Sequence, residues 1–270
     1  MTTTATQSVV TVSDVSQPRV LASEWIKFRS LRSSWFTLAA AVVAMIAVGW
    51  IVGYATNAHW ADFPPDERAA FEPISRSLVG VNLAQLAVGV LGVLLISGEY
   101  ATGMIRATFS AVPTRLPVLW AKAALYGAIT FVVMLPAALI AFLGGEHFLR
   151  DHGTTLSAVH AQRSIVGVAG YLTLIGLFAL ALGFIVRSTA GGIATFVGIV
   201  LVLPGIGQVL PKSWQQHTLP YLPSNAGASM FTIRPENPDA LSAGAGLLTM
   251  VIWVAAALLL AAVAVKRRDA

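Results

Sequence analysis

The sequence predicts an all-α, polytopic membrane protein with six transmembrane helices, both termini cytosolic, and an amphipathic interfacial helix before the first span. Three observations predict it. The 270 residues are 56% apolar and only 11% charged, whereas a soluble domain carries about 25% charged residues and needs them to face water. Six stretches reach the roughly 20 mostly apolar residues that crossing a bilayer core requires. The basic residues, finally, are distributed unevenly among the segments that join those stretches.

Residues 1–18, "MTTTATQSVVTVSDVSQP", are Ser/Thr-rich and lack the basic and apolar regions of a secretory signal. They are expected to be a flexible cytosolic tail. Residues 19–34 follow as the interfacial helix. Leu21, Trp25, Phe28, Leu31 and Trp35 recur at helical spacing and form one apolar face, while Glu24, Lys27, Arg29, Ser30 and Ser33 fill much of the remainder. Ser23 is a candidate cap, with Glu24 near the positive end of the helix. Glu24, Trp25, Lys27, Phe28 and Arg29 are the residues expected to act there, as a plain membrane anchor or also as a lever between a cytosolic partner and the first span.

The six-helix transmembrane domain covers 35–265, with spans at Trp35–Thr56, Leu78–Ser97, Leu119–Leu143, Ile165–Val186, Ala190–Leu210 and Gly244–Val265. Spans four and five are separated only by Arg187–Thr189, which implies a tight hairpin. Pro204, Gly205 and Gly207 interrupt the far end of span five, so a re-entrant segment is the alternative there. A basic tail, 266–270, closes the chain.

Orientation follows from Lys and Arg. Eleven of the 17 basic residues fall in the first, third, fifth and seventh segments: Arg19, Lys27, Arg29, Arg32, Arg106, Arg115, Lys122, Arg187 and 266–268. Eight of the 12 acids fall in the other loops, between Asp62 and Asp239. That asymmetry places both termini in the cytosol and accounts for the net charge of +5 without nucleic acid, for which no basic-aromatic cluster is present.

Several chemistries are excluded. Cysteine is absent, so there is no disulfide frame, thiolate metal site or catalytic thiol. No GxxxxGK[ST] phosphate loop occurs, and no cofactor is expected in this chain. No ionisable group sits mid-span, which argues against an ion-coupled carrier, and no paired carboxylates suggest an intramembrane protease. Five histidines, His59, His147, His152, His160 and His217, all fall in the outer loops. A wet extracellular loop explains them better than a metal site, because no HExxH spacing is present. Asn82 and Gln85, three apart on span two, share a face; helix packing is the favoured role and a substrate path the alternative.

The loop 98–117, "GEYATGMIRATFSAVPTRLP", is the candidate functional element. Gly98 and Gly103 loosen the chain, and a charge inside hydrocarbon costs roughly 2.5–3.5 kcal/mol, so Glu99 and Arg106 are expected outside it. A short helix from Thr102 to Ala111 would present Met104, Ile105, Phe109 and Val112 beside Arg106, an apolar surface suited to docking. Glu99 has three candidate partners: a residue on another subunit, Arg106, or the head of the lead-in helix.

The stretches "SEWIKFRSLRSSWFTL" and "GEYATGMIRATFSAVPTRLPVLWAK" together resemble the permease subunit of the ABC-2 group of ATP-binding-cassette transporters, in its bacterial six-helix form. The resemblance implies a non-enzymatic subunit of an exporter in the bacterial plasma membrane, paired with a second permease copy or homologue. ATP and Mg would be held by a separate ABC ATPase subunit. It implies coupling to that ATPase through Glu99, Tyr100, Thr102, Gly103, Ile105 and Arg106. Gly98 stands where the family commonly has serine. A membrane scaffold or immunity protein that transports nothing is the alternative reading.

Overall fold

In a computed structural model of the chain, which describes residues 16–233 and 239–267, six helices are long and apolar enough to cross a membrane. No strand occurs among the described residues. The predicted tail lies mostly outside them, although Gln17 and Pro18 are already helical. Helix α1 (Gln17–Ser30) begins with proline in its first turn, where the missing N–H is no loss. Ser16, rather than Ser23, stands at the N-cap. The Ser23 hydroxyl instead donates to the Val20 carbonyl at 2.8 Å.

The spans are α2 (Arg32–Ala58), α5 (Val81–Thr102), α7 (Leu116–Leu149, continued by a 3-10 turn to His152), α8 (Ala161–Val186), the segment Thr189–Gly207, and α13 (Ala243–Arg267). Between α2 and α5 lie the short helices α3 (Pro65–Ala69) and α4 (Pro73–Ser77); α6 (Met104–Ala111) joins α5 to α7. The fifth span is three pieces, α9 (Thr189–Val197), a π turn (Gly198–Val202) and α10 (Leu203–Gly207). Pro204 offers no N–H and crowds the carbonyl four residues back, and the chain answers with one wider turn before it. Helices α11 (Lys212–His217) and α12 (Pro223–Ala228) fill the loop before α13.

Helix α8 is the centre of the bundle. Its apolar window is 72% buried, against 28% in α2 and α13 and 22% in the fifth span. It packs on α5, α7 and α13, while α2 packs on α7 and α5. Lipid offers no hydrophobic drive for helices to associate, so close backbone approach through small residues matters. A Cβ at Gly49 of α2 would fall on the Ser77 carbonyl oxygen of α4, and one at Gly89 of α5 would fall on the Phe196 ring of α9.

The two ends of the bundle differ. At one end stand α1, α6, the α8–α9 turn and the end of α13. At the other, the Glu146 carboxylate accepts from Ser77 Oγ (3.0 Å) and the Thr154 N–H (2.6 Å), which pins α7, α4 and the following loop together. The Trp60 ring stacks on His152 with centroids 3.8 Å apart. Among the described residues no three His, Asp or Glu converge as a metal-binding group.

Candidate functional site

The first of these ends carries a buried ionic junction. Helix α1 contributes Glu24 and Lys27, the last turn of α5 contributes Glu99, α6 contributes Thr108, and the second turn of α7 contributes Lys122. Glu99 Oε1 accepts from Lys122 Nζ at 2.6 Å and from Lys27 Nζ at 3.3 Å. Glu24 accepts from Lys27 on one oxygen at 2.7 Å and from Lys122 on the other. Lys27 also donates to Thr108 Oγ1 at 3.0 Å. Glu24, Glu99 and Lys122 are almost wholly buried, 3%, 5% and 6% exposed.

Each element presents its charge for a local reason. Residues Val20, Glu24 and Phe28 recur every four positions and form the buried stripe of α1, which packs on α7. The expected apolar face is thus only partly the inner one. Leu21, Trp25, Leu31 and Trp35 all remain about 40% exposed, and only Phe28 of that set is buried, edge-on to Trp35 at 5.4 Å. A hydropathy pattern assigns glutamate to the wet side. Here it turns inward because two ammonium groups wait there. Two acids facing two bases leave the junction neutral, the condition under which buried charge is tolerated. Partial burial draws the Lys27 amine down, but the hydrogen bond and charge of Glu24, followed by those of Glu99, leave it above the ordinary lysine value of 10.5.

Of the three partners open to Glu99 in the sequence, the head of α1 is the one it meets, together with Lys122. Arg106 is exposed, and its guanidinium makes no hydrogen bond or ion pair among the described residues; its backbone N–H donates to the Gly103 carbonyl at 3.1 Å. Arg29 and Thr102 are exposed too, the Thr102 hydroxyl donating to the Gly98 carbonyl at 2.9 Å. Gly103 joins α5 to α6 in the left-handed region, at φ 73°, which glycine adopts without strain. Ile105, Phe109 and Val112 are buried. The apolar residues expected to form a docking surface are therefore largely used within the chain, and Thr102, Gly103, Met104, Arg106 and Ala107 form the exposed row.

A second contact region adjoins the first. Arg187, the left-handed cap of α8, donates to the Ala264 carbonyl at 3.0 Å and lies over the half-buried Tyr100 ring at 5.1 Å. Arg115 donates to the Val265 carbonyl at 3.3 Å and lies over Phe109 at 5.5 Å. Both guanidinium groups thus meet the negative end of α13. Thr189 Oγ1 donates to Ser97 Oγ at 2.9 Å, tying the start of α9 to α5.

Asn82 and Gln85 separate despite their common face. Asn82 is exposed and donates to the Val79 carbonyl, while Gln85 is buried and accepts from the Tyr171 hydroxyl of α8. For Gln85 this is a helix-packing contact. The sequence marks Lys122 and Arg115 only as basic residues that set the orientation, and marks Thr108 not at all. A signal for Lys122 existed, since a lone lysine four residues into an apolar run needs a counter-charge.

No protein-family model matches this chain, and no curated protein matches it. The geometry of the junction is what carries a functional reading.

Proposed function

We propose that the chain is the transmembrane permease subunit of an ABC-2 type exporter, with both termini and the α6 end in the cytosol of a bacterial cell. The observation that carries this reading is the buried junction. Glu24, Lys27, Glu99, Thr108 and Lys122 fasten α1, α5, α6 and α7 into one block. A force applied to the exposed row at Thr102–Ala107 would reach two spans and the lead-in helix together. The chain carries no phosphate loop of its own, so the force would come from a separate ATPase that binds ATP and Mg. Two permease copies, identical or related, would pair around the substrate path. Ligand-driven rocking of such blocks is an ordinary way to alternate access.

The test is affinity capture from native membranes with quantitative mass spectrometry, alongside Cys scanning at position 106. An ABC ATPase is expected in stoichiometric yield, and Arg106→Cys is expected to react only from the cytosolic side. Arg106→Glu should lose the ATPase while inserting normally. Capture of the chain without any ATPase, or labelling of position 106 from outside, would overturn the reading.

A further inference from the structure

The ionic junction removes the negative side chains from the surface of its end of the bundle. Among the described residues the acids at that end are Glu24 and Glu99, and both are buried against Lys27 and Lys122. Arg19, Arg29, Arg32, Arg106, Lys266 and Arg267 are all exposed there. Protein surfaces ordinarily intersperse charges of both signs. This one presents cations with no acid between them.

Two helices place such a cation at the head of a lipid-facing stripe. In α2, Phe36, Val43, Ile51 and Tyr54 are between 62% and 74% exposed along one side. Arg32 stands four residues before Phe36, on the same face. In α13, Leu260 and Val263 are 62% and 47% exposed, and Arg267 follows on their face. An apolar side chain so exposed on a membrane helix meets acyl chains, so the charge one turn beyond it lies at headgroup depth.

The α1–α2 elbow holds two of these cations together. Helix α1 ends at Ser30 and α2 begins at Arg32, with Leu31 extended between them. Trp35 Nε1 donates to the Arg29 carbonyl at 3.4 Å, and the Phe28 ring meets the Trp35 ring edge-on. These contacts fix the end of α1 against the first turn of α2. Arg29 and Arg32 therefore share one edge with Trp25 and Trp35, which are 41% and 40% exposed, and tryptophan is the side chain that favours headgroup depth.

A guanidinium grips a phosphate through two parallel N–H donors. Every phospholipid has the phosphate, so selection falls to the rest of the headgroup. The ammonium of a choline headgroup would meet cations here and no exposed carboxylate. A glycerol headgroup brings no opposing charge. We infer that the α1–α2 elbow binds an anionic phospholipid of the surrounding bilayer, its phosphate held by Arg29 and Arg32 and its acyl chains lying along Phe36 and Val43. The inference concerns the lipid shell and does not depend on whether the chain transports anything.

The experiment uses the full chain in phosphatidylcholine nanodiscs. These hold a trace of phosphatidylglycerol with a diazirine on one acyl chain or, in parallel, phosphatidylcholine with the same labelled chain. Crosslinked peptides are mapped by mass spectrometry. The glycerol lipid is expected to label 35–43 about tenfold more than the choline lipid, in keeping with two basic residues at the membrane surface. Arg29→Gln/Arg32→Gln should bring the two lipids to equal labelling. Arg76→Gln/Lys212→Gln, which removes the same charge at the opposite end, should leave the preference intact. Equal labelling in the native chain, or a preference that survives Arg29→Gln/Arg32→Gln, would overturn the inference. Loss of the preference in Arg76→Gln/Lys212→Gln would trace it to net charge and overturn it too. So would loss of a captured soluble protein from Arg29→Gln/Arg32→Gln with lipid labelling unchanged, which would make the elbow a protein contact.

Discussion

Glu99 and Lys122 stand 2.6 Å apart, each nearly sealed from solvent, one in the last turn of α5 and the other in the second turn of α7. Removing either alone leaves buried charge without its balance, which costs about 3–5 kcal/mol. Replacing both with apolar groups leaves Glu24 and Lys27 paired. Glu99→Leu and Lys122→Met are each expected to lower stability strongly. Glu99→Leu/Lys122→Met should lose clearly less than the sum of the two single losses. Reversible unfolding by SDS titration measures this, and strict additivity would show that the two groups do not act on one another.

The two glycines of the candidate coupling loop should respond oppositely to alanine. A Cβ at Gly98 meets nothing within 4 Å, and Gly98 lies inside α5, so Gly98→Ala is expected to stabilise by about 0.5–1 kcal/mol. Gly103 sits at φ 73°, and Gly103→Ala should cost about 1–2 kcal/mol. Equal effects in the same unfolding measurement would mean that the α5–α6 turn is not left-handed.

Arg187 closes the distance between the α8–α9 turn and the end of α13 through the Ala264 carbonyl. Arg187→Ala is expected to raise amide hydrogen exchange in the last turns of α13 and around Tyr100, and to leave the Glu146 end unchanged. Arg187→Lys should recover little of this, since an ammonium lacks the planar fork that stacks on a ring while bonding a carbonyl. Protection unchanged in Arg187→Ala would remove the residue from the account of that end.

Lys27 supplies a pH signature. Its folded amine is raised above the unfolded value of 10.5, with burial opposing and Glu24 and Glu99 prevailing. A raised lysine contributes stability that is fully present below the unfolded value and is lost as pH rises through the folded one. The difference in Tm between the native chain and Lys27→Met should therefore be constant at pH values well below 10.5 and shrink above it. A difference that grew with alkalinity would reverse the assignment.

Helix α8 shows what the sequence determines by itself. An unbroken apolar run with small residues at helical spacing has only one stable form in lipid, a helix that satisfies its own backbone. The existence of six such helices was therefore legible, as was the interruption at Pro204, though not its resolution as a π turn. The partnership of Glu24 with Lys122 was not legible. These residues lie 98 positions apart, and no local periodicity relates them. Hydropathy sorted Glu24 to the wet face of α1 and Ile105 to a docking surface, because it scores each residue against solvent. Only the tertiary structure decided that a glutamate turns inward and that Ile105 and Phe109 are spent on the chain's own core. The physical reason is that a buried charge is set by whatever charge stands across from it, and that is a property of helices meeting in space.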